Sequence, residues 1–555
     1  MNELLKPTLD LAPDYYLHNF RFMLDWVWKG YADLLNEEEH RFIHAFKQLD
    51  HDAQCLLVRL SGRKGPLFRQ DKLAYPEIAS IEISAQQLVD AGLLSACRPI
   101  DLNTLANSLT KPELLQLFDK ELTGLKQARK EMLIQTLALK HSDLHTWLVW
   151  TGNYFGSAWY LDNQPIINTL LLLFFGNAYQ DLTEFVLQDL GVFRYENYTI
   201  DTHHRLFKSR EELNQYQHLV QLRSELEVES SVATLLNISA QLPPQCATEK
   251  LQRRRAKLCN QIAYALERAG EHSAAIKLYE QSHLPPARER RVRLLEKQEC
   301  YSDAWQLLNT LLSNPLDEQE LQVAQRMAPR LAKKCGIALE KQPPTIISTQ
   351  RIQLQPLFDA QGKALRVEEI VRQSLDLPNA PCVYAENLLL NGLFGLWLWP
   401  EMFRGIEGAF ANPFQAAPLD MYQENFVANR PHIDQLWALL DSDEFQQTIL
   451  QTWRDKQGIT NHLVNWHFLS NDLLDMALHA IPAQHLKRLF ERILFDIKNN
   501  RSGLPDLIQF FPEEKTYRLI EVKGPGDRIQ YNQQRWLEYF AKHGIPAEVY
   551  YVNWQ

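Results

Sequence analysis

The chain has 555 residues, more than one hydrophobic core normally serves, so about two to four domains are expected. Hydrophobic residues make up 45% of it and aromatic residues 10%, which excludes a disordered chain. A net charge of −10 argues against a surface coated in DNA-binding charge, but it allows a local basic groove.

No membrane association is expected, because the longest apolar runs are Leu170–Phe175 and the interrupted Leu388–Trp399. Both are shorter than the roughly 20 residues of a membrane-spanning helix. The seven cysteines are scattered without zinc or redox spacing, which indicates free thiols in a reducing compartment. The expected location is the cytoplasm, with nucleoid association, in a bacterium, or the nucleus in a eukaryote.

Apolar residues at helical spacing predict two helices near the N-terminus, Asn19–Leu35 and Glu37–Leu49. They belong to a predicted N-terminal helical domain of residues 1–75. Residues 76–211 are predicted to follow as a DNA-binding region.

Within that region, Ser84 and the segment Thr110–Glu113 mark predicted helix starts. The pair resembles the small two-helix SAP module, in which Lys111 would contact phosphate. A helical pair with a solvated basic face is the alternative. A winged-helix-like unit is predicted later in the same region.

Residues 212–341 are predicted to form helical repeats. The segment Ala265–Tyr279 has an approximate copy, Leu294–Leu308, that begins 29 residues later. Small residues, Ala275 and Ala304, stand where the helices of each hairpin approach closely. The pattern resembles degenerate tetratricopeptide repeats, which bury a core only by stacking.

Basic residues precede each repeat and are predicted to line a groove that faces DNA. The alternative is that they interact with acidic helix ends. The residues of this set are Arg253, Arg254, Arg255, Arg290 and Arg291.

The segment Gln342–Pro356 is polar and contains three prolines, so residues 342–370 are predicted to be a linker. It leads into a C-terminal domain of residues 371–555. An apolar helix with Glu386 at its start is predicted early in that domain. The strands and helix predicted later in the domain are Leu504–Phe511, Tyr517–Lys523, Tyr531–His543 and Ala547–Val552. The expected fold class is therefore a mainly α, multidomain chain with a C-terminal α/β domain.

The most informative residues lie on the first two of these strands. Glu521 and Lys523 share one face of their strand, and Asp506 can lie across the hairpin from them. Two carboxylates and an ammonium at one point are costly unless a divalent cation neutralises the acids. With Mg²⁺ bound, such a cluster suits phosphodiester cleavage.

This segment resembles the PD-(D/E)xK nuclease superfamily. The string Glu521–Arg528, followed by Gln533, is similar to the virus-type replication-repair nuclease (VRR-NUC) module. Upstream, Glu386–Trp397 and Phe414–Asp420 extend the resemblance to the Fanconi-associated nuclease family. From the residues alone, Glu386 also fits a structural acid favoured by a helix dipole.

The resemblance implies a site for Mg²⁺ or Mn²⁺ formed by Glu386, Asp506 and Glu521, with the backbone carbonyl of Val522 as a further ligand. Lys523 is expected to position the attacking water or to stabilise phosphate charge.

Two further expectations concern neighbouring residues. Gln533 is expected to orient the attacking water. Lys498 and Arg501 are expected to hold an adjacent phosphate, with a solvated basic loop as the alternative. Asn532 stands where larger family members carry a basic residue for a flap's 5′ phosphate.

The implied function is that of a structure-specific nuclease. It would cut 5′-flap or branched DNA, trim DNA in the 5′-to-3′ direction and act in interstrand-crosslink repair. It is expected to be a monomer, with DNA-repair proteins as further partners. Two alternatives stay open: a Holliday-junction resolvase, and a non-catalytic repair scaffold.

Overall fold

The computed structural model describes residues 12–152, 154–180, 193–228, 231–339 and 345–555, which form two compact units. The first contains the described residues up to Arg194 together with Ile200–Arg210. The second contains Tyr195–Thr199 and the described residues from Glu211 to Gln555. Of the described helices, none is both long and apolar enough to cross a membrane.

The described part of the first unit is built from helices and one small antiparallel sheet, in which β1 pairs with β2. Its elements are α1 (Tyr15–Tyr31), a 3₁₀ turn (Ala32–Leu34), α2 (Glu37–Gln48), α3 (His51–Ser61), β1 (Leu67–Arg69), a 3₁₀ turn (Gln70–Lys72), α4 (Ile81–Asp90), α5 (Leu102–Ser108), α6 (Lys111–Leu117), α7 (Lys130–Ala138), α8 (Trp147–Thr151), β2 (Ala158–Tyr160) and α9 (Gln164–Phe175).

Helix caps explain where the sequence prediction held in this unit and where it did not. The helix start at Thr110–Glu113 is present, because Thr110 and Glu113 form a reciprocal capping box on α6. The start predicted at Ser84 is wrong. Ser80 caps α4 by accepting from the Ile83 amide, and Ser84 is buried inside the helix. Residues 181–192, in the region of the predicted winged-helix-like unit, lie outside the described residues.

The second unit begins with a stack of helical hairpins. Its helices are α10 (Arg210–Val228, of which Arg210 belongs to the first unit), α11 (Val232–Ala240), α12 (Glu249–Arg268), α13 (His272–Tyr279), α14 (Ala287–Lys297), α15 (Tyr301–Ser313) and α16 (Glu318–Lys334).

The two repeated hairpins have matching turns. Gly270 between α12 and α13, and Glu299 between α14 and α15, both have positive φ angles, of 90° and 63°. Ala275 and Ala304, predicted to lie where helices approach closely, are fully buried. The 29-residue offset between the copies is therefore kept in both the turn and the packing positions.

The linker prediction for residues 342–370 is wrong over much of its length. Gln342–Pro344 lie outside the described residues, but Ser348–Leu354 form strand β3 and helix α17 begins at Val367. Strand β3 pairs in parallel with the last strand, β7 (Ala547–Trp554). Its sequence is polar and mostly exposed, as suits a strand at the edge of a sheet. It was missed because it lacks the alternation of apolar and polar residues that marks a strand with one face buried in a core.

A five-stranded mixed sheet forms the core of the C-terminal region, with strand order β3–β7–β6–β5–β4. The predicted strands are present, each with one end shifted, and the predicted helix is present with the ends that were predicted. The predicted fold class is confirmed. The remaining elements of the sheet and its flanking helices are α17 (Val367–Leu375), β4 (Cys382–Tyr384), β5 (Leu507–Phe511), β6 (Thr516–Lys523) and α24 (Tyr531–His543).

The sheet positions the site through the alternation of side chains along β6. Ile520 and Val522 point into a buried apolar cluster with Leu507 of β5. Glu521 and Lys523 therefore project from the opposite face. Helix α24 connects β6 to β7, which are parallel neighbours, as parallel pairing requires.

A helical insertion separates β4 from β5. Its helices are α18 (Leu389–Met402), α19 (Ile433–Leu440), α20 (Phe445–Asp455), α21 (Asn471–Ala480), α22 (Ala483–Phe495) and α23 (Ile497–Asn500). Helix α18 is almost entirely buried. Gly392 and Gly395 lie on it beneath neighbouring side chains, so they allow the close approach of the segment 461–469.

The tight contact at Gly395 gives a stability prediction. A Cβ at Gly395 would lie 2.8 Å from Leu463 Cβ and 2.9 Å from Val464 Cγ2, whereas one at Gly392 would lie 3.3 Å from the flexible end of Leu469. We expect Gly395→Ala to lower the free energy of unfolding by about 1–3 kcal/mol through overpacking. Gly392→Ala should change it by less than about 1 kcal/mol, because alanine favours the helix. Urea denaturation followed by tryptophan fluorescence measures both, and equal effects would contradict the packing.

Candidate active site

Asp506 lies immediately before β5 and is 7% exposed. Its Oδ2 accepts a hydrogen bond of 2.8 Å from the backbone amide of Val522 on β6. Its carbonyl accepts from the amides of Ala385 and Glu386, at 2.8 and 3.1 Å. The aspartate is therefore fixed between β6 and the turn that follows β4.

Glu521 and Lys523 are buried beside each other, at 1% and 7% exposure. Glu521 Oε1 lies 2.7 Å from Lys523 Nζ as an ion pair, although no aligned hydrogen bond reaches this oxygen. The 2.7 Å contact does not form a hydrogen bond because its angles are unfavourable, so the attraction between the two groups is mainly between their charges. This oxygen is therefore held by the charge of Lys523, and its further lone pair could accept another partner.

Burial is the main influence on both acids. It raises the pKa of Asp506 to about 6, and the carboxylates of Glu368 and Glu386 add to the rise. It also raises the pKa of Glu521 to about 8; Asp506 adds to this rise and Lys523 opposes it. These directions are those of carboxylates that share a site of low dielectric constant with too little positive charge.

Glu386 lies in the turn between β4 and α18, not at the start of a helix as predicted, because α18 begins only at Leu389. The hydroxyl of Tyr384 donates to Glu386 Oε2, and Asn387 Nδ2 donates to Oε1 at 3.2 Å. Glu386 therefore lies just outside the first turn of α18. The turn between β4 and α18 places it beside Asp506.

Gln533 lies in the first turn of α24 and contacts Lys523. Its Oε1 accepts from Lys523 Nζ at 2.9 Å and from the Gln530 amide at 2.9 Å. Gln530 and Gln533 form a capping box. The same oxygen therefore starts the helix and holds the ammonium.

The GPGD segment after β6 turns the chain sharply. The Gly524 amide donates to Asp527 Oδ2 at 3.0 Å, and a Cβ at Gly524 would lie 3.3 Å from Val367 Cγ2. Gly503, before Asp506, has φ of +83°, and a Cβ there would lie 2.9 Å from Asn532. Glycine is required at this position by both conformation and space.

The donor set fits a hard divalent cation, since it consists of carboxylates, including one buried oxygen without a hydrogen bond. Within the part of the chain described, no three acidic, histidine or cysteine side chains already converge as a ready ligand set. Each Glu386 carboxylate oxygen accepts one hydrogen bond, from Tyr384 or from Asn387, and keeps a further lone pair that could bind an ion.

Lys498 and Arg501 differ in their surroundings. Lys498 lies on α23. The pKa of Lys257 on α12 is lowered mainly by burial, and the positive charges of Arg253 and Lys498 lower it further. Two lysines from different parts of the unit therefore share one region of positive potential. Arg501 is exposed and donates to the Tyr422 hydroxyl at 3.0 Å.

The arginines predicted to face DNA make contacts within the protein. Arg253 pairs with Glu424, and Arg254 donates to the Tyr216 hydroxyl at 2.7 Å. The remaining partners are Gln281 for Arg255, at 2.6 Å, Glu267 for Arg290, and Glu280 for Arg291, at 2.8 Å. Arg255 is also buried. Lys111 is the first residue of α6 in the first unit. DNA contact by this set stays a prediction.

Three residues at the site escaped sequence analysis. Glu368, in the first turn of α17, adds negative potential at Asp506, but it lay inside the predicted linker. Tyr384 and Asn387 contact Glu386 directly. Their only signal was adjacency to Glu386, which the predicted helix concealed.

Comparison with known proteins defines the class. Residues 441–554 match the VRR-NUC domain, and this range covers β5, β6, α24 and β7. The C-terminal region is therefore a VRR-NUC nuclease domain of the PD-(D/E)xK type, and such nucleases depend on a divalent metal ion.

The family follows from matches over nearly the whole chain. The chain is 38% identical to a Fanconi-associated nuclease 1 homolog of Pseudomonas aeruginosa, over 98% of this chain and 96% of that protein. Crystal structures of paFAN1 bound to 2-nt and 1-nt 5′-flap DNA with a gap match it with TM-scores of 0.85 and 0.84, at 38% identity over 98% of this chain. The chain belongs to the Fanconi-associated nuclease family and is a DNA nuclease.

Two further comparisons bear on its organisation. Residues 14–95 match the family's HTH domain, so this match crosses the predicted boundary between residues 75 and 76. Human Fanconi-associated nuclease 1 is 23% identical over 97% of this chain but only 62% of its own length. The match therefore spans about three fifths of that relative's length.

The raised pKa values predict how stability depends on pH in EDTA. Asp506 and Glu521 have pKa values of about 6 and about 8 in the folded chain, above their ordinary values of 3.8 and 4.5. The folded chain then binds more protons, so the free energy of unfolding should fall as pH rises from about 4 towards 8.

Glu521→Gln should flatten this fall, because it removes one of the two unfavourable ionisations. Glu513→Gln, in the exposed hairpin turn, is the matched control. Thermal melting across the pH range measures the slope, and an identical slope in Glu521→Gln and wild type would contradict the assignment.

Proposed function

We propose that this nuclease cuts branched DNA carrying a 5′ flap near the junction and trims it in the 5′-to-3′ direction. The observation that carries the proposal is the buried Asp506–Glu521–Lys523 cluster on a VRR-NUC sheet. The 5′-flap DNA bound by paFAN1, a match over almost the whole chain, supports the substrate class.

Mg²⁺ or Mn²⁺ is the proposed ion, held by Glu386, Asp506, Glu521 and the carbonyl of Val522. When bound, the ion would lower the pKa of a water molecule and offset phosphate charge. The raised pKa values of Asp506 and Glu521 support this, since a cation is what would allow both to ionise together.

Lys523 is proposed to hold the attacking water or a phosphate oxygen through its ammonium. Gln533 is proposed to act on Lys523 as a positioning residue, because its Oε1 already accepts from Nζ at 2.9 Å. This replaces the expectation that Gln533 orients the water directly.

Lys498 and Lys257 are proposed to contact DNA phosphates outside the metal site. Their shared positive potential supports this, because phosphate binding depends on local charge and not on the net charge of −10. Arg501, which is exposed beside Tyr422, is proposed to extend the same contact.

The biological setting is proposed by analogy with the family. The protein would act as a monomer in interstrand-crosslink repair, with DNA-repair proteins as partners, in the cytoplasm of a bacterium or the nucleus of a eukaryote. The scaffold alternative is not favoured, since the acids and lysine are intact and buried together. The resolvase alternative is not favoured, since paFAN1, which matches almost the whole chain, binds 5′-flap DNA.

The first test of this proposal is cleavage of end-labelled DNA. Wild type with Mg²⁺ or Mn²⁺ should cut a 5′ flap near its junction in preference to a 3′ flap, a four-way junction or single-stranded DNA. Asp506→Ala should lower the rate by about 10³-fold or more, because it removes an acid central to the metal site. Glu513→Ala is the matched control and should keep the wild-type rate.

Each of the other possible cleavage results would contradict a specific part of the proposed function. Symmetric cutting of the four-way junction would move the assignment to a resolvase. Equal cutting in EDTA would contradict metal dependence. Cutting by Asp506→Ala at the wild-type rate would show that Asp506 does not belong to the active site.

The role of Gln533 can be tested separately. Gln533→Ala should lower kcat by about 10-fold with little change in KM, because Lys523 loses its acceptor. Gln533→Glu keeps an acceptor oxygen and should retain more activity than the alanine variant. Gln534→Ala, one position along α24, is the control. Equal kcat values for Gln533→Ala and Gln534→Ala would contradict the role.

A further inference from the structure

The turn that carries Glu386 is tied to the segment that carries Asp506. The Asp506 carbonyl accepts from the amides of Ala385 and Glu386, at 2.8 and 3.1 Å. These bonds fix the two backbones to each other. They do not fix the Glu386 carboxylate, which extends beyond the backbone on rotatable bonds.

Two side chains supply that constraint: the Tyr384 hydroxyl donates to Glu386 Oε2, and Asn387 binds the other oxygen. Asn387 Nδ2 donates to Glu386 Oε1 at 3.2 Å, while its Oδ1 accepts from the Leu504 amide at 3.2 Å. Leu504 lies 117 residues further along the chain. One side-chain amide therefore connects the Glu386 carboxylate to the segment before Asp506, with its donor on one side and its acceptor on the other.

The backbone of Asn387 is itself held. Its φ is 53°, in the left-handed region, which asparagine tolerates better than most residues. Asn391 Nδ2 donates to the Asn387 carbonyl at 2.7 Å and to the Arg501 carbonyl at 2.8 Å. The amide of Asn387 is thus presented by a conformation that the surrounding structure maintains.

We propose that Asn387 is a positioning residue of the metal site, which sets the Glu386 carboxylate relative to Asp506 before an ion binds. The inference rests on the proposed function, because it assumes that Glu386 is a metal ligand. Hydrogen bonds to a ligating carboxylate orient it, and their removal typically costs about 10–100-fold in metal affinity or activity.

The competing role is purely structural, in which Asn387 only stabilises the turn. The two roles differ in what they change. If Asn387 is purely structural, its replacement lowers the melting temperature of the metal-free protein and leaves the affinity for metal unaltered. If Asn387 is a positioning residue, its replacement lowers the affinity for metal while the melting temperature stays nearly constant.

The main variant is Asn387→Gly in the full-length chain. Glycine adopts positive φ without strain, so the turn is kept while both side-chain hydrogen bonds are lost. The chain offers a matched control in Lys515→Gly, since Lys515 in the β5–β6 turn also has a positive φ, of 51°.

Calorimetric titration with Mn²⁺ alone is the primary measurement. We expect the Kd for Mn²⁺ to rise about 10-fold or more in Asn387→Gly and to stay at the wild-type value in Lys515→Gly. The Mn²⁺ concentration for half-maximal flap cleavage should rise by the same factor. At saturating Mn²⁺, kcat should recover to within a few-fold of wild type.

A second variant guards against loss of folding. Asn387→Asp keeps the acceptor for the Leu504 amide and the tolerance of positive φ, but it cannot donate to Glu386 when ionised. Wild-type Mn²⁺ affinity in both variants would overturn the inference. The proposed function fails separately, if the wild type itself neither binds Mn²⁺ nor cuts DNA.

Discussion

The site depends on one electrostatic constraint: Asp506, before β5, and Glu521, on β6, are both buried, and the Lys523 ammonium pairs with Glu521. Burial raises the pKa of both acids. The Asp506 carboxylate adds to the rise at Glu521, and the carboxylates of Glu368 and Glu386 add to the rise at Asp506. Such an arrangement is unfavourable in isolation. Its stabilisation requires a cation, and the surrounding elements can be understood as the means of holding the acids ready for one.

Each neighbouring element holds one part of this cluster. The β6 backbone fixes Asp506 through the Val522 amide, and the first turn of α24 fixes Lys523 through Gln533. The turn after β4 brings Glu386 to the same place from a distant part of the chain. The geometry is thus set by hydrogen bonds between elements, and the apolar face of the sheet supplies the rigidity behind them.

Sequence analysis succeeded where a signal is local. The alternation along β6 placed Glu521 and Lys523 on one face, and the ends of α24 were predicted as they are observed. It failed where tertiary contacts decide. Strand β3 is an edge strand of polar sequence, and the helix after Glu386 starts three residues later than predicted because that acid is tied to Asp506. The protein partners of Arg255 and Arg290 lie in other helices, so their spacing along the chain could not reveal them.

The position of β7 has a consequence for the order in which the site is assembled during synthesis. This strand lies inside the sheet, between β3 and β6, although its residues follow those of every other strand. Until residues 547–554 have left the ribosome, β6 has no neighbour on that side, and the acid it carries is closer to water. A nascent chain therefore holds all the proposed ligands before it holds the low-dielectric environment that makes them a strong cation site.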